Sequence, residues 1–311
     1  MAKISNYDMF DYDYSTYWKK REYENLAEKH LLNKMLDSEK GFWFLDIGGS
    51  YGRLTSTYYD KYSHPVIVDY SLKTLQKNRE ILLNKYKNLE IIAANAYKLP
   101  FKANSIDAGL MVRVLHHIEK PEEYFKEISR VISNDGIYIQ EYANKMHIKA
   151  VLRSIFKLNF DFFDTKPYKQ PTHHNNEGVK EGVEGIFFNF HPQYIEKNLE
   201  KVGFTIENKI GCSFLRSQFL KKIFNPDLLL FFEKILQITL SWSNISPSIF
   251  LKTKHTTKTN EEPKMYESLE DILACPKCKK DLKFDTSESA HCKACHSKYT
   301  KENGVWDFRV E

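Results

Sequence analysis

The sequence predicts an α/β fold: a doubly wound, Rossmann-like parallel sheet with a helical cap insertion, followed by a small C-terminal metal-bearing module. Three observations carry that reading. Short apolar runs alternate with helical patterns between residues 41 and 142, and a glycine-rich turn follows the first run directly. Four of the five cysteines fall in the last 37 residues, as two Cys-x-x-Cys pairs.

The size and charge agree with this division. At about 150 residues per domain, 311 residues suggest two domains. Lys and Arg number 46 against 41 Asp and Glu, a net charge of +5, which is far from a polybasic nucleic-acid arm. A hydrophobic share of 42% excludes disordered and collagen-like chains. A disulfide framework would spread its cysteines through a small, loop-rich fold, and these are clustered. The first residues, MAKISNYDMFDYDYSTYW, contain no apolar run and include Asp8, Asp11 and Asp13, unlike a signal peptide. The most apolar stretch, Leu228–Leu240, falls short of the roughly 20 residues of a membrane span and is interrupted by Glu233 and Lys234. A cytoplasmic, reducing location without integral membrane association is therefore expected.

Taken in order, residues 17–37 read as a helix, with Tyr23, Leu26, His30, Leu31 and Met35 near helical spacing, within an N-terminal cap at 1–40. Strand-like runs follow at Phe42–Ile47, Val66–Asp69, Leu89–Ala94, Ile106–Val112 and Gly136–Tyr142. Between the last two, Tyr124, Phe125, Ile128, Val131 and Ile132 mark a helix over 120–133. Strands alternating with helices imply right-handed crossovers and a parallel sheet covered on both faces. The main domain is placed at 41–254, with a cap insertion at 146–190 whose later part is polar and aromatic-rich. A helix at 192–202 ends at Gly203, and strand Phe204–Ile210, a helical stretch at 214–240 and a last strand Pro247–Lys252 follow. Residues 253–266 have almost no apolar content, so a linker is placed at 255–266 and the small module at 267–311. There is no internal repeat.

The turn after the first strand reads Asp46-Ile47-Gly48-Gly49-Ser50-Tyr51-Gly52-Arg53. Glycine permits positive φ and close approach of a ligand to the backbone. The turn is expected to open a helix whose first N–H groups lack partners, beside the switch point of the sheet. Asp69, ending the second strand, lies 21 residues beyond Gly48, where an acid can accept hydrogen bonds from ribose hydroxyls. Loop, preceding strand and acid together point to an adenosine-containing cofactor.

The order Asp-x-Gly-Gly-Ser-x-Gly, with the acid before the turn, resembles the class I S-adenosylmethionine-dependent methyltransferases. The resemblance runs through Ala94-Asn95-Ala96, Leu99-Pro100-Phe101, Ser105-Ile106-Asp107, Val112-Arg113-Val114-Leu115-His116-His117, Glu127 to Arg130 and Asn134-Asp135-Gly136. It covers residues 17–145 closely and 190–254 more loosely. It implies that S-adenosyl-L-methionine (SAM) is the cofactor, with Asp46 and Gly48 shaping the methionine end and Gly49, Ser50 and Gly52 among the cofactor-binding residues. Asp69 would hold the ribose, Asn95 and Ala96 would flank the adenine, and Tyr70 and Arg113 would join the cofactor set. Arg21 and Tyr23 would close over the cofactor. Two positions depart from the pattern: Ser50 stands where the family usually has glycine, and Asn95 where aspartate is common.

Methyl transfer is an in-line displacement in which the protein supplies orientation and excludes water. A general base is needed only when the acceptor loses a proton. His116, His117, Glu141 and Tyr142 are the candidates, with His116–His117 also readable as a simple helix-start element. His173, His174 and His191 lie in or beside the cap and read as solvent-facing. The position after the fourth strand reads VRVL, without the Asn/Asp-Pro-Pro-Tyr that grips amide or exocyclic nitrogens. The pattern resembles small-molecule methyltransferases of the ubiquinone and menaquinone type, so a small-molecule acceptor is expected.

Cys275-Pro-Lys-Cys278 and Cys292-Lys-Ala-Cys295 can converge on one tetrahedral Zn²⁺. A module of about 45 residues buries little core, so the metal contributes to its folding. Closed Cys₄ coordination makes the zinc structural. The surrounding residues, through Tyr299 and Asn303-Gly304-Val305-Trp306, resemble the zinc-ribbon activators of tRNA, rRNA and release-factor methyltransferases. That implies a ribbon docked within the chain on the catalytic domain. It also keeps an RNA- or ribosome-associated methyltransferase as an alternative, beside a non-enzymatic zinc-containing adaptor.

Overall fold

The computed structural model describes residues 17, 18, 20–170, 187–256 and 266–310. Helix α1 (Glu22–Met35) buries Tyr23, Ala27, Leu31 and Met35 along one face and ends by Leu36, so it starts later than residue 17. Strands β1 (Gly41–Ile47), β2 (Tyr62–Asp69), β3 (Glu90–Ala93), β4 (Ile106–Met111) and β5 (Ile132–Ala143) form a parallel sheet in the order β3-β2-β1-β4-β5. Helix α2 (Leu72–Lys85) follows β2, with the Ser71 hydroxyl accepting the Thr74 N–H as its cap. Helix α3 (Pro121–Val131) precedes β5 and opens on Pro121, whose missing N–H costs nothing in the first turn. Strand β5 begins at Ile132, earlier than Gly136, because Ile132 pairs with Ile106 before a register shift.

One crossover departs from expectation. No α-helix joins β1 to β2; the chain makes two 3₁₀ turns, Thr55–Thr57 and Tyr59–Lys61. Threonines and tyrosines are modest helix formers, and the Thr57 hydroxyl bonds back to the Leu54 carbonyl at 2.7 Å, competing with a regular ladder. The glycine turn therefore has no helix N-terminus behind it.

Beyond β5 come α4 (Ile148–Phe156), β6 (Tyr168–Lys169), β7 (Phe188–Asn189), α5 (Pro192–Lys201) and β8 (Phe204–Cys212). Helices α6 (Gln218–Ile223) and α7 (Pro226–Thr239) and strand β9 (Ser248–His255) follow. The stretch 214–240 is two helices because proline cannot continue α6; Asn225 caps α7, accepting the Leu228 N–H at 2.8 Å. Strand β9 lies antiparallel between β5 and β8. It runs to His255, into residues read as linker, because alternation buries Leu251, Thr253 and His255 while Lys252 and Lys254 between them take the other face and pair with Glu39 and Asp135. His173 and His174, and most of the expected linker, lie outside the described residues.

The C-terminal module contains α8 (Leu269–Ile272), β10 (Leu282–Thr286), β11 (Ser289–Cys292), β12 (Lys298–Glu302) and β13 (Val305–Asp307). Strand β13 pairs in parallel with β3, Trp306 against Ile92 and Asp307 against Ala93. The result is one sheet of eleven strands, β10-β11-β12-β13-β3-β2-β1-β4-β5-β9-β8. The exposed edge of β3, a template for unwanted pairing, is thereby covered. Around this seam, Ala274 N donates to Pro100 O (2.9 Å), Lys102 N to Ile272 O (2.8 Å) and Phe308 N to Ala93 O (2.8 Å). Lys279 Nζ pairs with the buried Glu127 at 2.6 Å. Trp306, Phe308, Leu273 and Cys292 share one apolar core with Trp43, Val66, Ile92 and Phe101.

Candidate functional site

The carboxyl ends of the parallel strands converge on the glycine turn, which is tied down from below. Gly48 N donates to Val68 O at 2.7 Å, and Gly48 takes φ +74°. A Cβ at Gly48 would sit 2.2 Å from Val114 Cγ2, so glycine is required there by both conformation and space. Asp46 lies beneath the turn, buried, and accepts the Tyr58 hydroxyl at 2.8 Å. Desolvation pushes its pKa up to about 7, opposed by that hydrogen bond and by Arg53.

Asp69 closes the turn from the β2 side. One carboxylate oxygen accepts Ser50 N at 3.0 Å and the other accepts Ser71 N at 2.9 Å. This grip holds Ser50 at φ +49°, a left-handed conformation that glycine adopts without strain. Tyr70 follows, with the Arg309 guanidinium 5.8 Å from its ring centroid. Across the turn, Asn95 is buried; its Oδ1 accepts Tyr97 N (2.9 Å) and its Nδ2 donates to Val310 O (3.0 Å). The C-terminal tail therefore reaches the residue expected to flank the adenine. Asparagine suits this place because a carboxylate could not donate to that carbonyl. Ala96 is partly buried against the same core.

Arg113 adopts φ +64°, and its N–H donates to Glu141 at 2.8 Å. Its guanidinium binds Glu28, which also takes Arg53 at 2.7 Å. Burial alone would raise the Glu28 pKa, but Arg113 and Arg53 hold it below the usual carboxylate value. Trp18 covers Arg53, the guanidinium 3.7 Å from the ring centroid, and Arg21 stands 4.3 Å from the Tyr17 ring centroid. Tyr23 is directed elsewhere: its hydroxyl bonds Glu233 of α7 and receives Leu215 N at 3.0 Å, anchoring α1 in the core. Glu28 and Trp18 escaped sequence reasoning. The available signal was that Glu24 and Glu28, four apart, share the buried face of α1 with Ala27 and Leu31.

His116 and His117 lie on a 3₁₀ turn, ring centroids 4.0 Å apart, and both meet Phe187 of the cap. Desolvation, helped by His117, Arg113 and Arg216, holds the His116 pKa well below its ordinary value, so this imidazole is neutral at physiological pH. Glu141 is buried between Arg113 N and the Ser248 hydroxyl, and burial raises its pKa. Tyr142 points to the opposite side of β5, fully buried in the apolar core; its hydroxyl has no partner among the described residues. The structure thus brings His116, His117, Glu141 and Arg113 together and sets Tyr142 and Tyr23 apart. His191 caps α5, its Nδ1 accepting Gln193 N at 3.2 Å.

The four cysteine sulfurs lie within 4.8 Å of one another, with Cys275–Cys295 at 3.5 Å and Cys278–Cys292 at 3.4 Å. An S₄ tetrahedron around zinc, with bonds of about 2.3 Å, has edges of about 3.8 Å, so the set fits the metal. The two knuckles are alike. Lys279 N donates to Cys275 O and His296 N to Cys292 O, and both residues take positive φ. His296 is thus a turn residue of its knuckle.

Residues 45–140 match the family model of a methyltransferase domain. An uncharacterized protein of Methanocaldococcus jannaschii, MJ1252, is 28% identical over 225 residues, covering 71% of this chain and 84% of the relative. Two solved structures share the fold. One is an S-adenosylmethionine-dependent methyltransferase of Mesorhizobium loti, 15% identical, covering 74% of this chain and 98% of that one, TM-score 0.50. The other belongs to the complex containing the Trm112 methyltransferase activator of Haloferax volcanii, 12% identical, covering 83% of this chain and 100% of that one, TM-score 0.53.

Proposed function

From the premise of a methyltransferase domain at residues 45–140, we propose that the chain transfers a methyl group from SAM to a small-molecule acceptor, with a zinc ribbon as its built-in structural partner. The observation that carries this reading is the glycine turn clamped onto β2 by Asp69. In this reading Gly48, Gly49, Ser50 and Gly52 form the floor of the cofactor site, with Asp46 bracing it from below. Asp69 and Tyr70 receive the ribose, and Asn95 and Ala96 bound the adenine. Arg113 and Arg21 supply positive charge at the methionine end. When bound, the cofactor supplies an activated methyl group on a sulfonium.

The chain's own residues then orient and shield. His116, His117 and Phe187 line the acceptor side, and His116 is neutral, able to take a proton at a ring nitrogen if the acceptor carries one. Glu141 acts through Arg113, holding its backbone in the left-handed conformation, so it is a positioning residue. Cys275, Cys278, Cys292 and Cys295 would hold the zinc, away from the chemistry. The solved complex containing an activator supports reading the ribbon as an activator fused to its own catalytic domain.

Calorimetry with SAM and with its demethylated product tests the proposal. Zinc-loaded protein is expected to bind both, and Asp69→Ala is expected to weaken binding at least about tenfold, the equivalent of one charge-assisted hydrogen bond. Wild-type protein that binds neither, or an Asp69→Ala variant of unchanged affinity, would remove the cofactor assignment.

A further inference from the structure

Helix α7 is amphipathic in reverse. Its buried face carries Leu229 with the polar Glu233 and Gln237, while Leu228, Phe231, Phe232, Ile235 and Ile238 are exposed. Those residues recur at i, i+3, i+4, i+7 and i+10, one continuous stripe that Trp242, 79% exposed, extends. The buried polar groups are satisfied: Glu233 takes Tyr23, Ser213 N and Phe214 N, and Gln237 donates to Glu233. These bonds fix the helix with its polar residues inward and its apolar side outward. Helix α4 has the same character, exposing Ile148, Leu152, Ile155 and Phe156.

The start of α4 is tied to the loop that follows α7. Ile148 N donates to Ile245 O, just after Trp242, and Asn144 Nδ2 donates to Asn244 O. Fifteen of the seventeen large exposed apolar side chains among the described residues fall within 148–160 and 219–242. This concentration exceeds the scattered surface apolar residues of ordinary proteins. It occupies the rim where β5 ends and β9 begins, the same edge of the sheet as the glycine turn.

Charge decides among occupants. Exposed Lys149, Arg153, Lys157, Lys222 and Lys234 flank the apolar side chains, against exposed Asp161, Asp164 and Asp227; Asp164 is already paired with Lys145. A cationic border around aromatic and aliphatic side chains fits an anionic bilayer surface. A second copy of the face would set cations against cations. Among the described residues no helix is long and apolar enough to cross a membrane, so contact is at the surface.

We propose that α4, α6 and α7 dock this protein on an anionic lipid bilayer, with the mouth of the site toward the lipid. That the acceptor is an amphiphile drawn from that bilayer is a further step, and rests on the methyl-transfer reading above.

The test is flotation of the full, zinc-loaded chain with vesicles of phosphatidylcholine containing about 30% phosphatidylglycerol, beside vesicles of phosphatidylcholine alone. Binding to the anionic vesicles is expected, weakened by high salt. Phe231→Ser/Phe232→Ser and, separately, Lys222→Glu/Lys234→Glu should each weaken it at least about tenfold, since each basic residue near such a surface contributes roughly fivefold. All four side chains are exposed, so circular dichroism and binding of the demethylated cofactor should be unchanged. Equal binding to neutral vesicles, no flotation, or a dimer by light scattering that Phe231→Ser/Phe232→Ser dissociates would each overturn the proposal. Flotation without cofactor binding would overturn only the methyl-transfer reading.

Discussion

Trp306→Ala is the sharpest probe of how the cysteine module joins the sheet. The indole is 2% exposed, stacks on Phe308 at 5.3 Å and meets Phe284 at 5.8 Å, while its backbone pairs with Ile92. Truncating a buried aromatic to alanine costs about 3–5 kcal/mol, and the lost aromatic pairs place this site toward the upper end. At roughly 2 °C per kcal/mol for a chain of this size, the melting temperature should fall by roughly 6–10 °C. Because Trp306 shares its core with Trp43, Val66 and Phe101 of the main sheet, the whole chain should shift as one transition. Calorimetry and near-ultraviolet circular dichroism, followed together on zinc-loaded protein, read this directly. Two separated transitions, with the larger unmoved, would refute the shared-core argument.

Other expectations follow from single contacts. Ser50→Gly removes a left-handed strain of about 1–2 kcal/mol, less about 0.5–1 kcal/mol of chain entropy, so denaturant unfolding should show a gain of about 0–1.5 kcal/mol; a loss would mean the serine side chain has a structural partner. Asn95→Asp sets a carboxylate against the Val310 carbonyl and should cost about 1–3 kcal/mol in the full chain but much less in a chain ending at Phe308; equal costs would show that the tail contact is incidental. Asp46, with a folded pKa of about 7 above its unfolded value near 3.8, favours the folded state only while protonated. Its contribution is therefore present below about pH 4 and is lost as pH rises to about 7. Asp46→Asn should accordingly gain stability relative to wild type across that window, and a pH-independent difference between the two proteins would contradict the shift.

Much of the domain was legible because its signals are local. The apolar runs of β1, β2 and β4, the acid at the end of β2 and the glycine order are written in consecutive residues, and periodicity converts them into a parallel sheet. Which face of the helical stretch 214–240 is buried is not written locally. Helix α7 turns its polar residues inward, because Glu233 accepts hydrogen bonds from Tyr23 and from two backbone N–H groups of a separate segment. The partner of Tyr23, Glu233, lies 210 residues away, beyond the reach of local pattern. The missing first crossover helix follows from weak propensities that tertiary contacts, such as Tyr58 to Asp46, did not reverse.

By itself the sequence determined the alternation of strands and helices, the turn that demands glycine at Gly48 and the four thiols spaced for one metal. Each depends on steric or coordination rules acting over a few residues. Only the tertiary structure decided that the cysteine module extends the main sheet, that its tail reaches Asn95, and that Arg53 and Arg113 close on Glu28. Those outcomes depend on which distant donor meets which acceptor once both are withdrawn from water. Periodicity carries no record of such pairings.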